Sequence, residues 1–175
     1  MTQTWRTERP KSDEHVPYYA GYIAEATGRD TLESLEQQIA RVAAVLAPIP
    51  EAKGAHRYAE GKWSIKEVIA HVSDAERVFS YRLLSIARAD PAPLPGFDQD
   101  AWVPTSGADA RTLADIGDEF TAIRRATLAL LRPIQDEEML RRGVASGHPV
   151  SARAIAWILP GHMEHHMKVL KEKYL

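Results

Sequence analysis

Apolar residues recur at steps of three and four in four separate stretches of this chain, and each stretch reads as an amphipathic helix. The first carries Leu32, Leu35, Ile39, Val42 and Leu46 on one face. Asp30-Thr31-Leu32-Glu33 supplies a capped start, and Pro48 and Pro50 stop it. The second begins at Ser64-Ile65-Lys66-Glu67, a capping box in which the serine hydroxyl takes an orphan amide and the glutamate reaches back to the cap amide. Its stripe of Ile65, Val68, Val72, Ala75, Phe79, Leu83 and Ile86 predicts a helix to the neighbourhood of Ala89, with His71 beside the stripe. The third opens at Thr112 and Asp115 and turns Leu113, Ile116, Phe120, Ile123, Thr127 and Leu130 inward, with Pro133 near its end. The fourth is capped by Ser151 and presents Ile155, Ile158, His162, His166 and Val169 on one face. Pro160 lies inside it, so a kink or bulge is expected just before the histidines.

The stretches between are equally patterned. Residues 1–17 are polar, with Pro10 and Pro17, and read as an arm lying on the surface. Tyr18, Tyr19 and Tyr22 start a short helix that Gly28 ends. Residues 90–109 hold Pro91, Pro93, Pro95, Pro104, Gly96 and Gly107, and loops of that length in a compact domain are commonly functional. Residues 141–151 predict a small β-hairpin turning at Ser146-Gly147. The fold expected is all-α: a four-helix bundle in one domain over residues 1–175, with long crossover loops. The connections through 47–63 and 90–111 leave consecutive helices free not to be neighbours.

Composition narrows the chemistry. The 175 residues are 45% hydrophobic and 26% charged, with a formal net charge of −2, and this balance gives no electrostatic footprint for nucleic acid. No apolar run is long enough for a membrane span and no signal peptide is visible, so the cytoplasm is the expected compartment. With no cysteine, a metal must be held by imidazole, carboxylate and water.

Three of the seven histidines fall in His162-Met163-Glu164-His165-His166. His162 and His166 are four apart, one turn above each other on a helix, a spacing that suits a divalent metal held from one side. The competing reading is two polar residues at a helix end, but unpartnered imidazoles on an apolar face are costly. The zincin pattern is absent, because Met163 stands where its glutamate is required. Glu164 points away from the pair. A catalytic Zn²⁺ takes three protein ligands and leaves a fourth position open. His71 is the best third, although a lone histidine on an apolar face is more often a satisfied core residue. Asp74, three residues on, is placed to orient a ligated His71 through an outer-sphere hydrogen bond, or else to pair with Arg77 or Arg82. His165 could replace a ligand, shuttle protons or face solvent. Trp63, Trp102 and Trp157 line a pocket or fill the core; Met163 and Met167 read as packing residues. His15, His56 and His148 fall in loops.

The run from Tyr58 through Trp63, Ser64 and His71 to Asp74, Glu76 and Arg77 resembles the signature of the DinB-like, YfiT-like metal-binding bundles, which are distinct from the polymerase of the same name. Pro-Leu-Pro-Gly-Phe-Asp at 93–98, Ala101-Trp102-Val103 and the closing His-x-x-His-His are similar to the same family. The resemblance covers roughly residue 30 to the end and implies a divalent metal, Zn²⁺ or Ni²⁺, held by His71, His162 and His166. It also implies a homodimer and a small-molecule substrate. Some relatives are S-transferases that join bacillithiol, mycothiol or glutathione to an electrophile; a thiol cosubstrate would be needed here because the chain has no cysteine. The leading expectation is such a thiol S-transferase. The alternatives are a hydrolase using metal-bound hydroxide and a non-catalytic metal-binding stress protein.

Overall fold

A computed structural model describes residues 3–175. Four long helices build the bundle: α2 (Thr31–Leu46), α3 (Ile65–Ala87), α5 (Leu113–Leu131) and α7 (Ala152–Lys173). Shorter elements decorate it: α1 (Pro17–Glu25), α4 (Gln99–Trp102), α6 (Asp136–Met139) and an antiparallel hairpin of β1 (Arg142–Ala145) and β2 (His148–Ser151). Each long helix starts where its cap dictates. Asp30 Oδ1 accepts from the amides of Leu32 and Glu33, Thr112 Oγ1 from Asp115, and Ser151 Oγ from Ala154. At Ser64 both halves of the box close: Oγ accepts from the Glu67 amide and the Glu67 carboxylate accepts from the Ser64 amide.

The helices are not joined to their chain neighbours in simple succession. α2 packs on α5 and α7, and α3 packs on the same two, so α2 and α3 occupy opposite corners of the bundle. The connections through 47–63 and 132–151 therefore cross between corners. Within the second, the hairpin turns at Ser146 and Gly147, both with positive φ. The long loop after α3 clips onto this hairpin: the Leu94 amide donates to the Val144 carbonyl at 2.8 Å and the Ser146 amide donates to Leu94 at 3.0 Å.

Several sequence expectations need correction. The segment 3–17 is not a surface arm, because Trp5 is buried in the core. Its indole donates to the Ile134 carbonyl, its amide to Asp136, and its carbonyl accepts from the Trp157 indole. Glu14 is likewise buried, accepting from Ser151 and Arg153 at the start of α7. Second, α7 does not show one apolar face: residues 151–163 are buried without interruption, because α1 covers the side that α2 and α3 leave open. α7 also stays helical through Pro160, with no bulge before the histidines. Third, Ile123 and Leu130 in α5 are only half-buried, while Arg124 between them is fully buried.

That arginine carries a polar cross through the bundle. Its Nε and Nη2 donate to the Glu76 carboxylate on α3 and its Nη1 donates to Gln38 on α2 at 2.6 Å. Gln38 in turn donates to the Pro160 carbonyl and to Glu164 on α7. One side-chain chain thus ties all four long helices together directly beneath the histidines.

Candidate metal centre

His71 enters from the second turn of α3, and His162 and His166 from successive turns of α7. Because α3 and α7 are packed neighbours, the three rings converge in the interior. His162 Nε2 lies 3.3 Å from His71 Nε2 and 3.1 Å from His166 Nε2. The three potential ligand atoms all fall within 4.8 Å of one another. Four Zn–N bonds of ordinary length in a tetrahedron place their nitrogens about 3.3 Å apart, so the observed spacing fits a single ion.

Hydrogen bonding alone does not account for the cluster. In its neutral form His162 Nε2 carries either one proton or one lone pair, and it cannot satisfy two facing ring nitrogens. A divalent cation accepts all three lone pairs at once. Burial keeps the imidazoles in that form: it drags His71 down to about 4. It drives His162 and His166 well below the ordinary histidine range too, with the neighbouring histidines adding to the effect. All three are therefore neutral and ready to ligate at neutral pH. Among the described residues, no fourth histidine or carboxylate joins the group.

Aromatic rings wall the site. Trp63 lies 4.7 Å from the His71 ring and stacks at 6.5 Å on His166. Tyr22 of α1 meets His162 edge-on at 5.2 Å, and Phe79 meets it at 5.8 Å. Two clefts reach the histidines from different sides. One of roughly 670 Å³ opens beside His166, between Trp63, Lys62, Tyr58 and Tyr174. The other, roughly 810 Å³, opens beside His162, between Tyr19, Tyr22, Phe79, Arg82 and Phe97. Gln99, at the start of α4 in the long loop, borders both.

The remaining candidates separate. Asp74 takes its alternative role: its carboxylate accepts from Arg77 at 3.1 Å and makes no hydrogen bond to His71. His165 stays outside the triad, half-exposed, 3.4 Å from Glu25 and edge-on to Tyr22. Glu164 points away as expected, held by Arg41 and Gln38. Trp157, Met163 and Met167 are core, whereas Trp63 lines the site and Trp102 is largely exposed beside Phe97. Tyr22 and the Arg124–Gln38 cross carried no signal in the sequence, since neither shares a local motif with the histidines.

Comparison with known proteins agrees with this architecture. YfiT from Bacillus subtilis, a proposed metal-dependent hydrolase with an unusual four-helix bundle topology, superposes with a TM-score of 0.68 at 15% identity over 97% of this chain and 95% of its own. At that identity the likeness speaks for the fold. A protein of Oceanobacillus iheyensis named as a proposed metal-dependent hydrolase is 28% identical over 72 residues, which is 41% of this chain and 41% of that relative's length. Residues 34–170, from α2 to near the end of α7 with all three histidines between, match one family model, and the chain belongs to the DinB superfamily.

Proposed function

We propose that the protein is a divalent-metal-dependent enzyme in which His71, His162 and His166 hold the ion and a nucleophile attacks a small organic electrophile beside it. The convergence of three neutral imidazoles, with His162 Nε2 3.3 Å from His71 and 3.1 Å from His166 and no fourth ligand among the described residues, carries this reading. A closed four-ligand sphere would instead suit a purely structural metal. When bound, a divalent ion at such a site favours the deprotonated form of a neighbouring thiol or water. The chain's own residues keep the site dry through Trp63, Tyr22 and Phe79. They fix α7 beneath it through Gln38 and Arg124, and two clefts lead to it.

Those two clefts favour transfer between two organic substrates. A low-molecular-weight thiol of the bacillithiol kind would occupy one and its electrophile the other. The carbon–sulfur bond forms as the leaving group departs with its bonding pair, and the thiol proton passes to solvent. Hydrolysis is the second reading, favoured by the names given to the two relatives.

Metal content of untagged protein, measured by mass spectrometry beside a His162→Ala/His166→Ala double variant, tests the first claim. About one ion per chain in the parent and none in the variant is expected for a three-histidine site. A parent that stays empty after incubation with Zn²⁺, Ni²⁺ and Mn²⁺ would refute it. Thiol consumption with an electrophile, against product release without thiol, then separates transfer from hydrolysis.

A further inference from the structure

Four cationic side chains are buried among the described residues: Lys66, Arg82, Arg124 and Arg153. Three have a carboxylate partner: Lys66 meets Glu51 at 2.6 Å, Arg124 grips Glu76, and Arg153 grips Glu14. Arg82 has none within 4 Å, although it is only 2% exposed. A buried guanidinium without a counter-charge is costly, and a chain that pairs its other three buried cations leaves this one as the exception.

The partners of Arg82 are all neutral. Nη2 donates to the Pro95 carbonyl at 2.6 Å and to Ser146 Oγ at 2.9 Å, and the Tyr19 hydroxyl lies beside the guanidinium. The guanidinium lies over the Phe97 ring, 5.8 Å from its centroid. It lines the same cleft as His162, together with Tyr19, Tyr22 and Phe79. Asp98 borders that cleft, but its Oδ1 is turned to the amides of Asp100 and Ala101, where it caps α4.

We propose that Arg82 is a recognition residue for a substrate carboxylate, so that the cleft selects small aromatic or apolar carboxylic acids with the reacting carbon toward the histidines. This extends the enzymatic reading above by naming a substrate class. A lone guanidinium matches a monoanion, and its planar fork fits a carboxylate. No second lysine or arginine lines the cleft to pair with a phosphate dianion. The rings of Tyr19, Phe79 and Phe97 supply the apolar body of the site.

The test is a calorimetric titration of phenylacetate, its neutral amide phenylacetamide, and phenyl phosphate, each on metal-loaded and on metal-stripped protein. In both forms phenylacetate is expected to bind at least about tenfold tighter than the amide, as a charge-assisted hydrogen bond requires. Arg82→Gln should abolish that preference while leaving metal stoichiometry unchanged. Equal binding of acid and amide, or a preference that survives Arg82→Gln, overturns the proposal, as does a preference seen only with metal, which would mean direct coordination. Tighter binding of phenyl phosphate overturns the choice of carboxylate. If Arg82→Gln fails to fold, the Arg82 Nε–H resonance of the parent is followed by NMR: a shift with phenylacetate and not with the amide is expected, and no shift refutes. Loss of metal binding alone would sink the enzymatic reading without touching this one, because the stripped protein is assayed separately.

Discussion

Gly161 is the point where the backbone of α1 rests on α7: a β-carbon there would collide with the carbonyl of Tyr22. The same approach brings the Tyr22 ring against His162, the next residue along α7. Backbone cannot move aside as a flexible side chain can. Gly161→Ala should therefore push α1 off the bundle and cost about 3 kcal/mol, the upper range for overpacking a core. Denaturant unfolding measures this, and a change below about 1 kcal/mol would mean that α1 docks elsewhere at no loss.

The Arg124–Glu76 pair predicts an asymmetry. Arg124→Met leaves the Glu76 carboxylate buried and unpaired, and should cost about 3–5 kcal/mol. Arg124→Met combined with Glu76→Leu should recover most of that loss. A double-mutant cycle checks it; simple additivity of the two single losses would contradict the coupling.

Acid should destabilise the metal-free protein through the histidines. His71 is held near 4 in the folded chain against an ordinary value of 6.5. Between those values the unfolded chain takes up a proton that the folded chain refuses. Stability is thus full above about pH 6.5 and falls with pH by about 1.4 kcal/mol per unit for each such histidine. Unfolding of stripped protein at pH 7 and pH 5 reads the slope, and His71→Phe should make it shallower. An unchanged slope would show that His71 titrates normally.

Glu14 acts in the opposite sense and at lower pH. Burial alone would raise its pKa, but Arg153, the Lys11 amide and Ser151 outweigh that and hold it near 2. Its stabilising contribution is present above about 4.5 and is lost as pH falls through 2. Glu14→Gln should remove that acid-labile part and lower the melting temperature at pH 7, since it strands the buried Arg153.

Trp63 should report on the site optically. Its indole lies against both His71 and His166, so Ni²⁺ added to stripped protein should quench its fluorescence. Trp63→Phe should remove most of that change. Quenching that persists in the variant would place the ion near another indole.

What the sequence made legible was local. Ser64 with Glu67, or Asp30 with the amides after it, are complete within four residues, and the spacing of His162 and His166 within five. His71 stood out less: its place beside the stripe of an amphipathic helix made it the best third ligand, and the family resemblance strengthened that choice. What stayed hidden depended on partners far along the chain. Arg124 carries no local signal, and its burial depends on Glu76, 48 residues away. Trp5 is an isolated aromatic in a polar stretch, and its burial depends on the Ile134 carbonyl and on Asp136. Asp74 had two readings that spacing could not separate; proximity to Arg77 decided between them.

His71 and His162 are 91 positions apart in the chain. A chain without cysteine has no disulfide to join such distant segments. An ion held between these histidines would act as a removable cross-link closing a loop of more than half the molecule, a closure that takes most from the entropy of the unfolded chain because the loop is long. Occupancy of the site would then set how long the folded state persists as well as what chemistry it performs, and depletion of the ion would expose the bundle to unfolding at the seam between α3 and α7.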